Sequence, residues 1–223
     1  MFRDRIDAGR QLAEVVASRL GQPSSPPGVK GCVVLGLPRG GVPVAALVAD
    51  ALGARLDVLV VRKIGVPWQP ELALGAVGEG GAVVLNDGVL SASGVDPDEL
   101  AALIARTSQE VQDVVAQLRP GAGPVEVSGR MAIVVDDGVA TGATARAAAS
   151  VLRQSGSGPV ILAAPVAPAI TCESLASAFD EVICAMTPTR FGSVGQYYEH
   201  FEQVSITEVR QLLDASAARR ATS

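Results

Sequence analysis

Two adjacent carboxylates stand between an apolar run and a loop of small residues near the middle of the chain. The apolar run ends at Val135, Asp136 and Asp137 follow it, and residues 138–144 contain two threonines before an alanine-rich helical pattern begins. A loop that enters a helix offers free backbone N–H groups and hydroxyls, which suit a phosphate monoester. Like charges repel, so the two acids suit the neighbouring sugar hydroxyls, a metal or a developing cation instead. The pattern predicts a site for a 5-phosphorylated sugar.

An Asp-Asp pair alone would fit a simple helix cap followed by a glycine turn. Residues 133–145 as a whole are more specific, because they resemble the 5-phosphoribosyl-1-pyrophosphate (PRPP) motif of the type I phosphoribosyltransferases. In that motif hydrophobic residues precede two acids and a Thr-Gly-x-Thr phosphate loop. The resemblance implies that PRPP is the substrate and that the two acids take part in catalysis. The PRPP-binding residues it implies are Asp136, Asp137, Gly138, Val139, Ala140, Thr141, Gly142, Ala143 and Thr144.

Two other segments match loops of this family. Residues 35–41 resemble the pyrophosphate loop, where Gly40 and Gly41 would let the backbone approach an anion and Arg39 would supply charge. The alternative is a glycine turn with a solvated arginine. Residues 62–81 are rich in Gly and Pro and are predicted to form a long loop, at the position of the family's flexible loop. Lys63 at its start is a candidate pyrophosphate contact, or a surface lysine without a role.

A small hood over the site, residues 187–205, is also implied by the resemblance. Phe191, Val194 and Tyr197 are the candidates for contact with the acceptor, since aromatic rings stack on planar bases. The aromatic residues could equally form the hood's own core. His200, the sole histidine, is predicted to end a surface element. The sequences of residues 62–67 and 191–197 resemble those of a bacterial subgroup of predicted phosphoribosyltransferases of unsettled substrate.

One position departs from part of the family. Members that act on 6-oxopurines carry an acid before the Thr-Gly of the phosphate loop, and this chain has Ala140 there. Hypoxanthine and guanine are therefore disfavoured as acceptors. A general base, if one is needed, would come from elsewhere, and Glu71 and Glu79 are candidates that could also be ordinary solvated carboxylates.

Short apolar strands alternate with amphipathic helices along the chain, and this pattern predicts how the loops are positioned. Strand candidates are residues 32–35, 56–61, 82–85, 131–135, 160–164 and 182–186, and helix candidates are residues 2–20, 42–52, 97–118, 143–155 and 171–178. Asp96 is a predicted N-cap, with Pro97 at the first helical position. Strands that are apolar throughout indicate a parallel sheet with helices on both faces, which binds ligands at its carboxyl edge. We expect an α/β protein, residues 1–223 forming one domain of the type I phosphoribosyltransferase fold.

Composition excludes several classes of protein. The chain has 223 residues, 48% of them hydrophobic, and its mean hydropathy is +0.35, which excludes a disordered chain. Its apolar runs of about 4–7 residues are far shorter than the ~20 of a membrane-spanning helix. A net charge of −5 disfavours a nucleic-acid binder. The three scattered cysteines form no disulfide framework or metal motif, and no signal peptide is visible, so we expect a cytoplasmic location.

The resemblance thus implies a transferase that moves phosphoribose from PRPP to a nitrogen nucleophile, a base or a small amine, and releases pyrophosphate. Mg²⁺ is the expected cofactor, held mainly through PRPP with Asp136 and Asp137 as further ligands. A homodimer is expected. The alternatives are a regulator of the same fold that senses PRPP or a nucleotide, and a hydrolase or phosphorolytic enzyme. Arg39, Lys63 and an intact flexible loop over residues 62–81 favour catalysis, because a sensor could do without them.

Overall fold

The computed structural model describes residues 1–21, 31–121 and 123–221. Its strands are β1 (Cys32–Gly36), β2 (Arg55–Val58), β3 (Val61–Val66), β4 (Gln69–Gly78), β5 (Val83–Leu85), β6 (Met131–Val135), β7 (Val160–Val166) and β8 (Glu181–Met186). Five of them form one parallel sheet in the order β2-β1-β6-β7-β8. Parallel strands need long crossovers, and helices supply them here. The predicted central parallel sheet is confirmed.

Helices cover both faces of this sheet. The helices are α1 (Arg5–Leu20), α2 (Gly41–Leu52), α3 (Asp87–Ser93), α4 (Pro97–Leu118), α5 (Ala143–Gln154), α6 (Ala169–Leu175) and α7 (Ile206–Ala221). Of these, α1, α2, α5, α6 and α7 pack on the parallel sheet. On one face, Leu12 of α1 and Val48 of α2 pack with Ile133 of the sheet. On the other face, α5 and α6 bury Leu152 and Leu175. Because helices bury both faces of these strands, their sequences are apolar throughout and do not alternate between apolar and polar residues.

The prediction of a long loop over residues 62–81 is wrong. Strands β3 and β4 lie there and pair in a separate antiparallel sheet, and a 3-10 turn over Glu79–Gly81 closes the segment. The third strand of this sheet, β5, falls within the strand predicted over residues 82–85. Ile64 and Leu74 are fully buried in the sheet. Position 75 of strand β4 must be glycine, because a side chain there would collide with the Val84 carbonyl of β5. Glycines that the sequence suggests are loop residues thus serve close strand packing.

The helix boundaries show which local signals were reliable. Asp96 is the N-cap of α4, and its carboxylate accepts a hydrogen bond from the Asp98 N–H at 2.9 Å. Helix α1 ends at Gly21, whose φ of +67° favours glycine. Helices α3 and α7 were not predicted, and the run over residues 56–61 divides between β2 and β3. Within the described residues, no helix combines the length and apolarity needed to cross a membrane.

Candidate functional site

The loops after β1 and β6 meet at the carboxyl edge of the parallel sheet. These strands are neighbours, with Gly36 paired to Val135, so the residues that follow them are brought together. A Cβ on Gly41 would lie 2.9 Å from the Asp136 Cα, and a Cβ on Gly40 would overlap the Asp137 Oδ2. The predicted pyrophosphate loop and the two acids therefore touch, and glycine is what allows the approach. Arg39, half-buried, lies in the same loop after a cis peptide bond with Pro38.

The loop between β6 and α5 surrounds a small cavity of about 170 Å³. Its lining consists of Asp136, the residues from Gly138 to Ala145, and Val194. Within the described chain, the backbone N–H groups of Gly138, Ala140, Thr141 and Gly142 have no protein acceptor. Successive free N–H groups before a helix N-terminus form an anion-binding concavity. The structure thus collects the predicted phosphate-binding residues around one cavity.

Two contacts hold this phosphate loop in shape. Thr171 of α6 donates a hydrogen bond from its hydroxyl to the Ala140 carbonyl at 2.8 Å. Gly142 has a φ of +76°, and a Cβ there would lie 3.0 Å from the Leu175 side chain. The loop is therefore supported from beneath by α6, a helix that the sequence predicts only through its apolar spacing.

Asp136 lies at the base of the cavity and is half-buried. One of its carboxylate oxygens accepts the Asp137 N–H at 2.9 Å. Burial raises the pKa of Asp136 well above its ordinary value, and the negative charge of Asp137 raises it further. The negative charge of Asp136 is therefore only partly compensated by the protein, and a cation or a sugar hydroxyl in the cavity would stabilise it.

Asp137 is held by a residue that sequence analysis missed. The Nε and Nη2 atoms of Arg5 each lie 2.8 Å from its Oδ2. Burial raises the pKa of Asp137, while the Arg5 guanidinium opposes this effect. Arg5 also donates to the Glu202 carbonyl at 2.7 Å and lies 4.0 Å from the centre of the Phe201 ring. It is 132 residues away from Asp137, and no local pattern in a single sequence could have linked the two.

The aromatic residues of the hood contact mainly one another, and Tyr198 connects the hood to the two acids. The Tyr198 hydroxyl donates to the Asp137 carbonyl, and Phe2 and Tyr198 are buried against each other. Phe191 and Tyr197 stack with ring centres 5.4 Å apart. Val194, in a 3-10 turn over Val194–Tyr197, leaves no room for a side chain at Gly138. Of the three predicted acceptor contacts, Val194 lines the phosphate cavity, while the two aromatic residues contact each other.

Lys63 and Glu79, two further candidates, lie outside the lining of the phosphate cavity. Lys63 lines a second cleft, about 840 Å³, between the antiparallel sheet and α5, and this cleft shares Thr141 with the phosphate cavity. Glu79 is not a solvated loop carboxylate, because it forms a buried ion pair with Arg119. The side chain of Glu71 lies outside the described residues. His200 is exposed, as predicted, 3.8 Å from Glu202.

A comparison with known protein families shows which family has this site. The model of the phosphoribosyl transferase domain matches residues 4–186, from the start of α1 to the end of β8. The chain belongs to this phosphoribosyltransferase family. The matched range contains both glycine-lined loops and both acids. The predicted type I phosphoribosyltransferase fold is confirmed.

Individual relatives agree with the family. Two Mycobacterium tuberculosis sequences, each named "Putative phosphoribosyl transferase", are 50% identical over 214 residues, which is 96% of this chain. The chain spans about half of their length, 46%. A crystal structure of TT1426 from Thermus thermophilus is 42% identical with a TM-score of 0.83, covering 95% of this chain and 97% of that one. The AQ2163 protein of Aquifex aeolicus, 10% identical over 86% of this chain and 78% of its own, shares the fold alone at a TM-score of 0.51.

The raised pKa of Asp136 predicts that the Asp136→Asn variant is at least as stable as the wild type near neutral pH. The amide oxygen of asparagine can still accept the Asp137 N–H, while the cost of burying a charge disappears. The folded pKa of Asp136 is raised, so the wild type should lose stability relative to the variant as pH rises from about 4 through that folded pKa. Denaturant unfolding of both proteins at about pH 4.5 and about pH 8 measures the difference. A gap in the variant's favour that shrinks at higher pH would contradict the prediction.

Proposed function

We propose that this site binds PRPP, transfers its phosphoribosyl group to a nitrogen nucleophile and releases pyrophosphate. One observation carries the proposal: the glycine loop after β1 packs against Asp136 and Asp137, directly beside a cavity lined by free N–H groups. A sugar that carries a phosphate at one end and a pyrophosphate at the other needs these three features in this order.

The 5-phosphate is proposed to bind the phosphate loop. Its oxygens would accept hydrogen bonds from the free N–H groups of Gly138, Ala140, Thr141 and Gly142 and from the hydroxyls of Thr141 and Thr144, both exposed. This group takes no part in the bond changes at ribose C1. Its binding energy can therefore hold the reacting end of the sugar in place.

The two acids are proposed to act on the ribose. Departure of pyrophosphate develops positive charge at C1, and nearby carboxylates stabilise it. Arg5 occupies Oδ2 of Asp137, so the other oxygen of that carboxylate and the Asp136 carboxylate remain for the sugar hydroxyls. The Arg5 contact also fixes the orientation of Asp137, which preserves its geometry before the ligand arrives.

The leaving pyrophosphate is proposed to bind the loop after β1. Arg39 supplies positive charge, and the Gly40 N–H, which has no acceptor among the described residues, supplies a donor. The Gly41 N–H donates to the Leu37 carbonyl at 3.0 Å, so the contribution of Gly41 is its lack of a side chain. Lys63, in the adjoining cleft, stays a predicted pyrophosphate contact.

Mg²⁺ fits this donor set only together with the substrate. The carboxylate oxygens of Asp136 and Asp137 are the hard ligands that it prefers. In the described residues no group of three His, Cys, Asp or Glu side chains could hold a metal, so oxygens of PRPP would complete the coordination. When bound, Mg²⁺ would neutralise charge that develops on the pyrophosphate.

Binding of PRPP can be measured directly. We expect Mg²⁺-dependent binding by calorimetry and a change in the fluorescence of Trp68, the only tryptophan, which is 62% exposed between β3 and β4. The fluorescence change is assigned to this one residue, because no other indole contributes. Ribose 5-phosphate serves as the control ligand, since it fills the phosphate loop without reaching the glycine loop after β1. A folded protein that releases no heat with PRPP and Mg²⁺ would refute the proposal.

Turnover is tested by screening purines, pyrimidines and simple amines for PRPP-dependent pyrophosphate release. Release that requires one acceptor identifies the transferase and its substrate. Binding without release under all these conditions would identify a PRPP-sensing regulator, and release without any acceptor would identify a hydrolase.

A further inference from the structure

Two of the three cysteines, although 12 residues apart in the sequence, lie side by side where α6 packs on β8. Cys172 is in α6 and Cys184 is in β8, and their Sγ atoms are 3.3 Å apart. A disulfide bond measures about 2.05 Å, so the sulfurs need to approach by only about 1.3 Å to bond. Both side chains are half-buried, and β8 is an edge strand of the parallel sheet. A small oxidant can therefore reach the pair.

We propose that Cys172 and Cys184 form a reversible disulfide and that this modification weakens ligand binding at the phosphate loop. The site itself stands on the geometry of the two sulfurs. Its effect on binding rests on the proposed function, because it needs a ligand in that loop.

The oxidant is a peroxide, and the reaction balances in two steps. The Cys172 thiolate attacks one oxygen of hydrogen peroxide, the O–O bond breaks, and a sulfenic acid and water form once the departing hydroxide takes a proton. The Cys184 sulfur then displaces the sulfenic hydroxyl, the S–S bond forms, and a second water leaves with the Cys184 proton. Two thiols lose two electrons and the peroxide gains them. A small thiol reverses the bond by exchange and is itself oxidised.

The order of attack follows from the environments of the two thiols. Burial raises the pKa of Cys184, and the neighbouring Cys172 raises it further, so Cys184 stays protonated and is the poorer nucleophile. Cys172, on the helix, is then the first to react. Cys184 is already within bonding reach when the sulfenic acid forms, which favours the disulfide over further oxidation.

Helix α6 connects this pair to the phosphate loop. Thr171, next to Cys172, donates to the Ala140 carbonyl at 2.8 Å, and Leu175 packs beneath Gly142. Ser174 accepts two hydrogen bonds from Arg146 of α5, at 2.8 and 2.9 Å. A pull on Cys172 toward β8 therefore acts on the residues that hold the loop. We expect the oxidised protein to bind PRPP at least about threefold more weakly than the reduced protein, measured by calorimetry.

The test begins with a thiol count on the full chain. The reduced protein has three cysteines, and after mild treatment with hydrogen peroxide we expect one free thiol under denaturing conditions, with a peptide linking Cys172 to Cys184 by mass spectrometry. Cys32 is the internal control, because it lies in β1 and burial raises its pKa to about 11. Cys32→Ser should therefore still form the disulfide, and Cys172→Ser and Cys184→Ser should not.

Each result decides a separate part of the proposal. Three free thiols after peroxide treatment, or oxidation of Cys172 to a sulfinic acid, would overturn the disulfide. A disulfide that leaves PRPP affinity unchanged would overturn the coupling to the phosphate loop. If the reduced wild type fails to bind PRPP, the proposed function fails while the thiol count still tests the modification site.

Discussion

The Gly40→Ala variant is expected to bind PRPP at least about tenfold more weakly than the wild type, a loss of about 1.4 kcal/mol. The backbone at Gly40 has φ −64° and ψ −33°, which alanine adopts without strain. The added methyl group would instead overlap the Oδ2 of Asp137 and lie 3.3 Å from the Nε of Arg5. The carboxylate can move aside only if its ion pair with Arg5 breaks. Calorimetry with PRPP and Mg²⁺ measures the loss.

A matched variant separates this effect from the general effect of adding a methyl group. Gly88 in α3 has room for a side chain, with Asn86 Oδ1 the nearest atom at 3.5 Å, so Gly88→Ala should keep wild-type affinity. Equal affinity of Gly40→Ala and wild type would show that the position of Asp137 does not matter for binding. Equal losses in both variants would show that the effect is not local.

The parts of the site that could be predicted from the sequence are those with local physical causes. The buried strand β6 runs over Met131–Val135, the range its apolar run predicts, because a strand buried on both faces admits no polar residue. The loop after it was recognisable because phosphate binding needs small residues and hydroxyls in succession. The contact between Gly40 and Asp137 follows from the two loops lying at the same edge of the sheet.

The parts that could not be predicted depend on residues far apart in the chain. Strands β3 and β4 were mistaken for a loop because their glycines, such as Gly75, are explained only by the neighbouring strand, whereas the short apolar run of β5 was predicted as a strand. In the sequence Arg5 is an ordinary residue of the first turn of α1, and only the structure places it beside Asp137. Cys172 and Cys184 have no motif spacing, and only the packing of α6 on β8 brings them together.

A second charged cluster, remote from the phosphate loop, was also hidden in the sequence. Arg119 follows α4 and is 8% exposed, and Asp57 of β2 is 5% exposed. The Arg119 Nε lies 3.4 Å from the Asp57 Oδ1, and Nη2 of the same side chain contacts the Glu79 carboxylate. Glu79 in turn accepts the Val60 N–H at 3.2 Å. One buried guanidinium therefore compensates two buried carboxylates and joins the parallel sheet, the antiparallel sheet and α4.

The Arg119→Met variant is expected to lose about 3–5 kcal/mol of unfolding free energy, because the buried Glu79 loses its ion pair and the buried Asp57 keeps only the exposed Arg55 as a cationic partner among the described residues. Burial raises the pKa of Asp57 although the Arg119 guanidinium lowers it, so removal of the guanidinium would raise this pKa further. The stranded carboxylates then take up protons on acidification, so the deficit of the variant should shrink as pH falls toward about 4. Denaturant unfolding of wild type and variant at several pH values measures both effects.

Two further variants show whether the loss comes from the stranded charges. Adding Glu79→Gln to Arg119→Met removes one unpaired carboxylate, so the double variant should be more stable than Arg119→Met alone. Arg106→Met breaks an exposed ion pair with Glu110 in α4 and should cost little, because solvent screens it. If Arg119→Met and Arg106→Met are equally stable, the cluster does not hold the two sheets together. A deficit that stays constant with pH would instead assign the loss to the missing packing of the long Arg119 side chain.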